Sequence, residues 1–109
     1  MSTDVVPVFS EVIHSPARLR ICGVLRRGAQ LEFAVLRDTL GLTDANLSKN
    51  LRVLADAGFV TVTKESSPDR PDARRLTWVE LTAEGRRAVE AHLAALAEIA
   101  AGVDPNAEK

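Results

Sequence analysis

Asn46, Lys49 and Arg52 share one face of a helical stretch, with Ala45 and Asp56 beside them and Leu47, Leu51 and Leu54 on the opposite side. These are side chains that bond base edges. An amide matches adenine, and a guanidinium or ammonium matches guanine or phosphate. The hydroxyls of Thr43 and Ser48 suit phosphate oxygens. A second group of cations, Arg70, Arg74 and Arg75, lies within and just after a stretch holding Pro68, Asp69, Pro71 and Asp72. Arginines at such a tip suit a flanking minor groove or its backbone. The blander reading of the first group is a solvated helix face. That of the second is a charged turn neutralised by Asp69 and Asp72. Asp44 and Asp56 would repel phosphate, and Asp44 reads better as a charge that complements a helix start.

Other chemistries find less support. No glycine-rich phosphate loop, serine elbow or His-Glu pair at a useful spacing is present, and the carboxylates are scattered over helix faces, so no catalytic residue is expected. One cysteine, Cys22, and two histidines, His14 and His92, give no cluster of the three or four ligands a zinc site requires. No metal or other cofactor is expected, although His14 and His92 could meet across a dimer. Cys22 falls on an apolar face, where a free thiol behaves as a small hydrophobe rather than a redox switch. It also excludes an intramolecular disulfide and suits a reducing compartment. No basic segment followed by an apolar run marks a signal peptide, and no apolar stretch reaches the ~20 residues that span a bilayer. A cytoplasmic protein that uses no membrane is the expectation.

The net charge of −1 hides an uneven distribution. Between Ser15 and Arg87 there are 13 Lys/Arg against 9 Asp/Glu, a net of +4, and the two ends carry a net of −5. A basic middle with acidic flanks permits nucleic-acid binding without requiring it.

The elements that must position these groups follow from pattern and punctuation. A chain of 109 residues suits one domain. Val8 to His14 reads as a short helix in an apolar run. Ser15-Pro16 is a helix start, hydroxyl cap then proline, for a helix ending at Arg27 before Gly28. Ala29 to Glu32 has room for one brief edge strand. Phe33, Leu36 and Leu40 mark a second short helix, which Gly41-Leu42-Thr43 interrupts. Thr43 caps the next helix, and Gly58 ends it. Two helices joined by three residues form a helix-turn-helix over about 33–57. Phe59 to Glu65 and Arg75 to Leu81 read as strands of a hairpin, a wing over about 59–81. Thr82 caps a last helix over about 83–101, with Val89, Leu93, Leu96 and Ala100 as its stripe. That stripe and the N-terminal residues Val8, Phe9 and Val12 are more apolar than one small core needs, so they are expected to form a dimer interface. The alternative is that both ends fold onto their own core.

The run Phe33-x-x-Leu36-x-x-x-Leu40-Gly41-Leu42-Thr43, then Asn46-Leu47-Ser48-Lys49, Leu51, Leu54 and Ala57-Gly58-x-Val60, resembles small MarR/ArsR-like winged helix-turn-helix transcriptional regulators. So does Leu81-Thr82-Ala83-Glu84-Gly85-Arg86. The likeness covers about residues 14–100 and rests on order and spacing. It departs from the family in the wing, which is richer in prolines and acids. The resemblance implies a mainly α winged helix-turn-helix with a small β-hairpin, one domain over 1–109, whose terminal helices dimerise. It implies a non-enzymatic, sequence-specific regulator of double-stranded DNA, a homodimer acting as a repressor by occlusion. Thr43, Ala45, Asn46, Ser48, Lys49, Arg52 and the wing arginines would touch DNA, with Arg18 or Arg20 helping to set register on the backbone. An unnamed small-molecule effector would fit between the terminal helices and the DNA-binding lobe, though nothing marks a pocket. The alternative function is a winged-helix protein-interaction module without DNA.

Overall fold

The structure is a computed structural model that describes residues 5–28, 30–66 and 75–104, with the backbone alone at Ser66 and Arg75. The chain order is α1 (Glu11–His14), α2 (Pro16–Leu25), β1 (Leu31–Glu32), α3 (Phe33–Leu40), α4 (Asp44–Asp56), β2 (Val60–Ser66), β3 (Arg75–Leu81) and α5 (Ala83–Ala100). Among the described residues this is a mainly helical protein with one small antiparallel sheet.

Hydroxyl caps begin four of the helices. Ser10 accepts from Ile13 N–H, Ser15 from Arg18 N–H, Thr43 from Asn46 N–H and Thr82 from Gly85 N–H. Each satisfies one of the donors that a helix start leaves orphaned. Gly41 closes α3 at φ 67°, a left-handed conformation that glycine enters without strain. Leu42 N–H then reaches back to Arg37 O at 3.0 Å, completing a Schellman-type end. The turn between α3 and α4 is therefore fixed by its own backbone.

The sheet order is β1-β3-β2. Leu31 pairs with Val79 and Glu32 with Trp78, so the brief edge strand is present and makes the hairpin a three-stranded sheet. The hairpin register runs from Val60 opposite Leu81 to Ser66 opposite Arg75. One core joins all of this: Ile13, Ile21, Cys22, Leu25, Leu36, Leu47, Leu54, Val79 and Val89 are buried together.

Three expectations about the ends need correction. The first helix begins at Glu11 rather than Val8, because the preceding backbone is tied elsewhere: Val8 N–H donates to Ala91 O at 3.0 Å and Ser10 N–H to His92 Nδ1 at 2.9 Å. The second ends at Leu25, with Arg26 as its cap. On α5 the buried positions are Gly85, Val89, His92 and Ala95; of the expected 89-93-96-100 stripe Val89 is buried, Leu93 and Leu96 are half-buried and Ala100 is exposed. Gly85 decides that rotation. A Cβ there would lie 1.9 Å from Phe59 O, so only a glycine lets the helix lie against the start of β2. Thr82 secures the contact, with Oγ1 donating to Gly58 O at 2.7 Å and its N–H to Phe59 O at 3.0 Å.

Candidate nucleic-acid interface

Helix α4 presents the candidate face because its other side is pinned. Leu47, Leu51 and Leu54 are buried, which turns Ala45, Asn46, Ser48, Lys49 and Arg52 outward, all exposed. Thr43 at the cap holds the first turn, its hydroxyl accepting from Asn46 N–H at 3.0 Å. Among the described residues Lys49 and Arg52 enter no ion pair. Asp44 and Asp56 are also exposed, at the two ends of the helix. Asp44 is engaged: Arg37 bonds it at 2.8 Å and Asp38 at 2.8 Å. The Arg37 guanidinium holds Asp38 below the usual carboxylate range, and its two partners raise Arg37 above its own. This clasp ties the end of α3 to the start of α4 and neutralises an acid beside the candidate face.

Behind the face runs a chain of hydrogen bonds that the sequence did not reveal. Arg18, on α2, donates through Nε to Val12 O and through Nη1 to Asn50 Oδ1 at 2.9 Å. Asn50, buried in the inner side of α4, donates to Asn46 O at 2.9 Å and to Asn46 Oδ1 at 3.0 Å. Arg18 is thus a half-buried structural cation rather than the expected contact to a DNA backbone. Arg20 is exposed, and its Nη2 donates to Leu40 O at 2.8 Å, satisfying a carbonyl at the end of α3.

A groove of about 530 Å³ separates α4 from the hairpin. Ser48 and Arg52 line it from the helix, Lys64 and Thr77 from the strands, with Phe33 and Leu51 supplying apolar surface. Lys64 is exposed and was not singled out by the sequence pattern, since one lysine in a Val/Thr-rich strand carries no signal without the fold. Next to it, Trp78 Nε1–H donates to Glu65 Oε1 at 2.9 Å across the strands. Arg70 and Arg74 lie outside the described residues, as does the Arg75 side chain.

The residues expected at a dimer interface divide. Val89 is fully buried in its own core, so its side chain is not available to a second copy. Val12 and Leu93 pack partly against that same core, and Leu96 is half-buried. Val8 and Ala100 are exposed, as are the apolar Val5, Val6, Ile99 and Val103 near them in sequence. Phe9 lies between two imidazoles, 4.7 Å from the His14 ring and 4.8 Å from the His92 ring. The histidines thus meet within one chain, 5.4 Å apart between centroids, rather than across two. Burial, and then the neighbouring His14, push His92 below the usual imidazole range. Its Nδ1 accepts from Ser10 and its Nε2 has no partner among the described residues. Burial likewise pushes the Cys22 thiol up to about 11, which keeps it protonated and unreactive at neutral pH. Among the described residues no helix is long and apolar enough to cross a membrane.

Three helices, an exposed fourth after a tight turn and a hairpin leading into a last helix define a winged helix with a helix-turn-helix at its centre. A family model described as a winged helix DNA-binding domain matches residues 17–100, and the chain belongs to that family. An uncharacterized protein of Methanocaldococcus jannaschii is 27% identical over 94 residues, 86% of this chain and 98% of that protein. The solved structure of a transcriptional regulator homologue from Pyrococcus horikoshii superposes with a TM-score of 0.75 at 29% identity, covering 85% of this chain and 88% of that one. NadR, solved in complex with 4-hydroxyphenylacetate, gives a TM-score of 0.58 at 25% identity, covering 83% of this chain and 65% of its own.

Proposed function

We propose that this chain is a sequence-specific regulator of transcription that binds duplex DNA as a homodimer and represses by occupying the operator. The observation that carries the reading is the outward face of α4. Asn46, Ser48, Lys49 and Arg52 stand exposed on a helix whose opposite side is locked into the core. A major groove about 12 Å wide admits one such helix. Asn46, Lys49 and Arg52 read bases, while Thr43 and Ser48 meet phosphate oxygens and Ala45 lies close to the groove wall. Arg70, Arg74 and Arg75 of the wing reach the flanking backbone. Lys64 joins them, because a strand that separates the helix's groove from the wing's would pass along the cleft it lines. Val8, Ala100 and their exposed apolar neighbours form the contact between copies, and two copies suit half-sites about one helical turn apart. A small organic acid is a reasonable effector to test for release of the DNA, because the similar NadR was solved with 4-hydroxyphenylacetate bound.

The test is a titration of the full chain against genomic duplex fragments at several salt concentrations. Specific fragments should bind with an affinity that falls steeply as salt rises, and removing the wing arginines should flatten that slope for every sequence alike. No binding to any fragment at low salt would instead favour a protein-interaction module.

A further inference from the structure

The hydrogen bonds behind α4 have a direction. A guanidinium carries donors and no acceptor. The Asn50 atom that meets Arg18 Nη1 at 2.9 Å is therefore its oxygen. Asn50 Nδ2 is left pointing toward Asn46, where its two N–H groups find Asn46 O at 2.9 Å and Asn46 Oδ1 at 3.0 Å. Because a donor needs an acceptor, the Asn46 amide turns its oxygen inward and its NH2 outward. The clamp is sheltered, since Asn50 is 4% exposed and water cannot easily compete for its bonds.

We infer that Arg18 and Asn50 are positioning residues that set the polarity of Asn46, making its outer tip a hydrogen-bond donor. The inference rests on the proposal that α4 is the reading helix. An unclamped asparagine can offer both ends of its amide, which is what a bidentate contact to adenine requires. Here the oxygen is turned inward to Asn50 and away from the outer face. The outward NH2 matches base edges that offer acceptors, guanine through O6 and N7 or thymine through O4. Adenine keeps one bond, through N7. Cytosine presents only a donor and is refused. Specificity at this position is thus written partly on α2, through an Arg18 that acts from behind α4.

The substitution Asn50→Asp reverses the polarity. A carboxylate only accepts, so Asp at this position still pairs with Arg18, gives up the bond to Asn46 O, and draws the Asn46 NH2 inward, leaving the amide oxygen outward. Bound duplexes selected from a random library would be compared for the full-length wild type, Asn46→Ala and Asn50→Asp. Asn46→Ala should flatten the preference at one base pair. At that same pair Asn50→Asp should shift the preference by about tenfold, from guanine or thymine toward cytosine or adenine. An unchanged preference in Asn50→Asp, with Asn46→Ala altered, overturns the inference and leaves the proposed function standing. A wild type that selects no sequence overturns the proposed function itself. Should Asn50→Asp fail to fold, side-chain amide exchange in the wild type decides. The Asn50 NH2 should be protected and the Asn46 NH2 should exchange like a free amide; the opposite pattern overturns the clamp.

Discussion

His92 places an ionisable ring in the buried interior, and the consequence can be measured. Its Nδ1 takes the Ser10 N–H, so protonation there costs the N-terminal arm this bond to α5 and leaves the one from Val8 N–H to Ala91 O. Burial holds its folded pKa below the unfolded value, and the adjacent His14 pushes the same way. The unfolded chain therefore binds the proton more readily. Its contribution to stability is complete above about pH 6.5 and is lost as pH falls from there toward the folded value. Thermal melts between pH 8 and pH 5 should show Tm falling over that window, and His92→Phe should remove part of the slope. An identical pH profile in the variant would contradict this assignment. Cys22 contributes to the core as a small apolar side chain, and no redox role follows from it.

Among the elements, the junction between the hairpin and α5 leaves no room for a larger side chain at residue 85. A Cβ at residue 85 meets Phe59 O, a backbone atom that cannot swing aside. Gly85→Ala should destabilise the fold by about 1–3 kcal/mol or more, as overpacking does. Thr82→Ala, which removes a cap and a bond to Gly58 O, should cost about 1–2 kcal/mol. Denaturant titrations give both values, and a Gly85→Ala variant as stable as wild type would mean that α5 lies differently. Features governed by near neighbours were readable from the sequence: the caps at Ser15, Thr43 and Thr82, the glycine ends at Gly41 and Gly58, and the leucine stripe of α4. The features missed depend on partners far along the chain. Arg18 looked like a surface cation because Asn50 is 32 residues away. The α5 stripe of Val89, Leu93, Leu96 and Ala100 follows apolar spacing alone, whereas Gly85 and the Ser10–His92 bond turn the helix to bury His92 and Ala95. The candidate face itself was legible because its residues follow a single helical period. Lys64 was not, since only the sheet brings it opposite Arg52.

For the whole molecule, the net charge of −1 conceals a middle of net +4 between two acidic ends. Among the described residues, five of the seven exposed large apolar side chains fall at the same ends, Val5, Val6 and Val8 before α1 and Ile99 and Val103 around the end of α5, while Val35 and Val62 lie elsewhere. Light scattering should therefore give a mass twice the 11.8 kDa of one chain. Val8→Asp, at a side chain 55% exposed in the single chain, should reduce the mass to that of one chain without unfolding it. A monomeric wild type would remove the dimer from the proposed mechanism but not the helix that reads DNA. That helix is the central claim. It is tested most directly by titrating a selected operator with wild type and with the triple variant Asn46→Ala/Lys49→Ala/Arg52→Ala, after melts show both folded alike. The expected result is at least about a hundredfold loss of affinity, the sum of modest losses from three contacts. Equal affinity in the two proteins would contradict it.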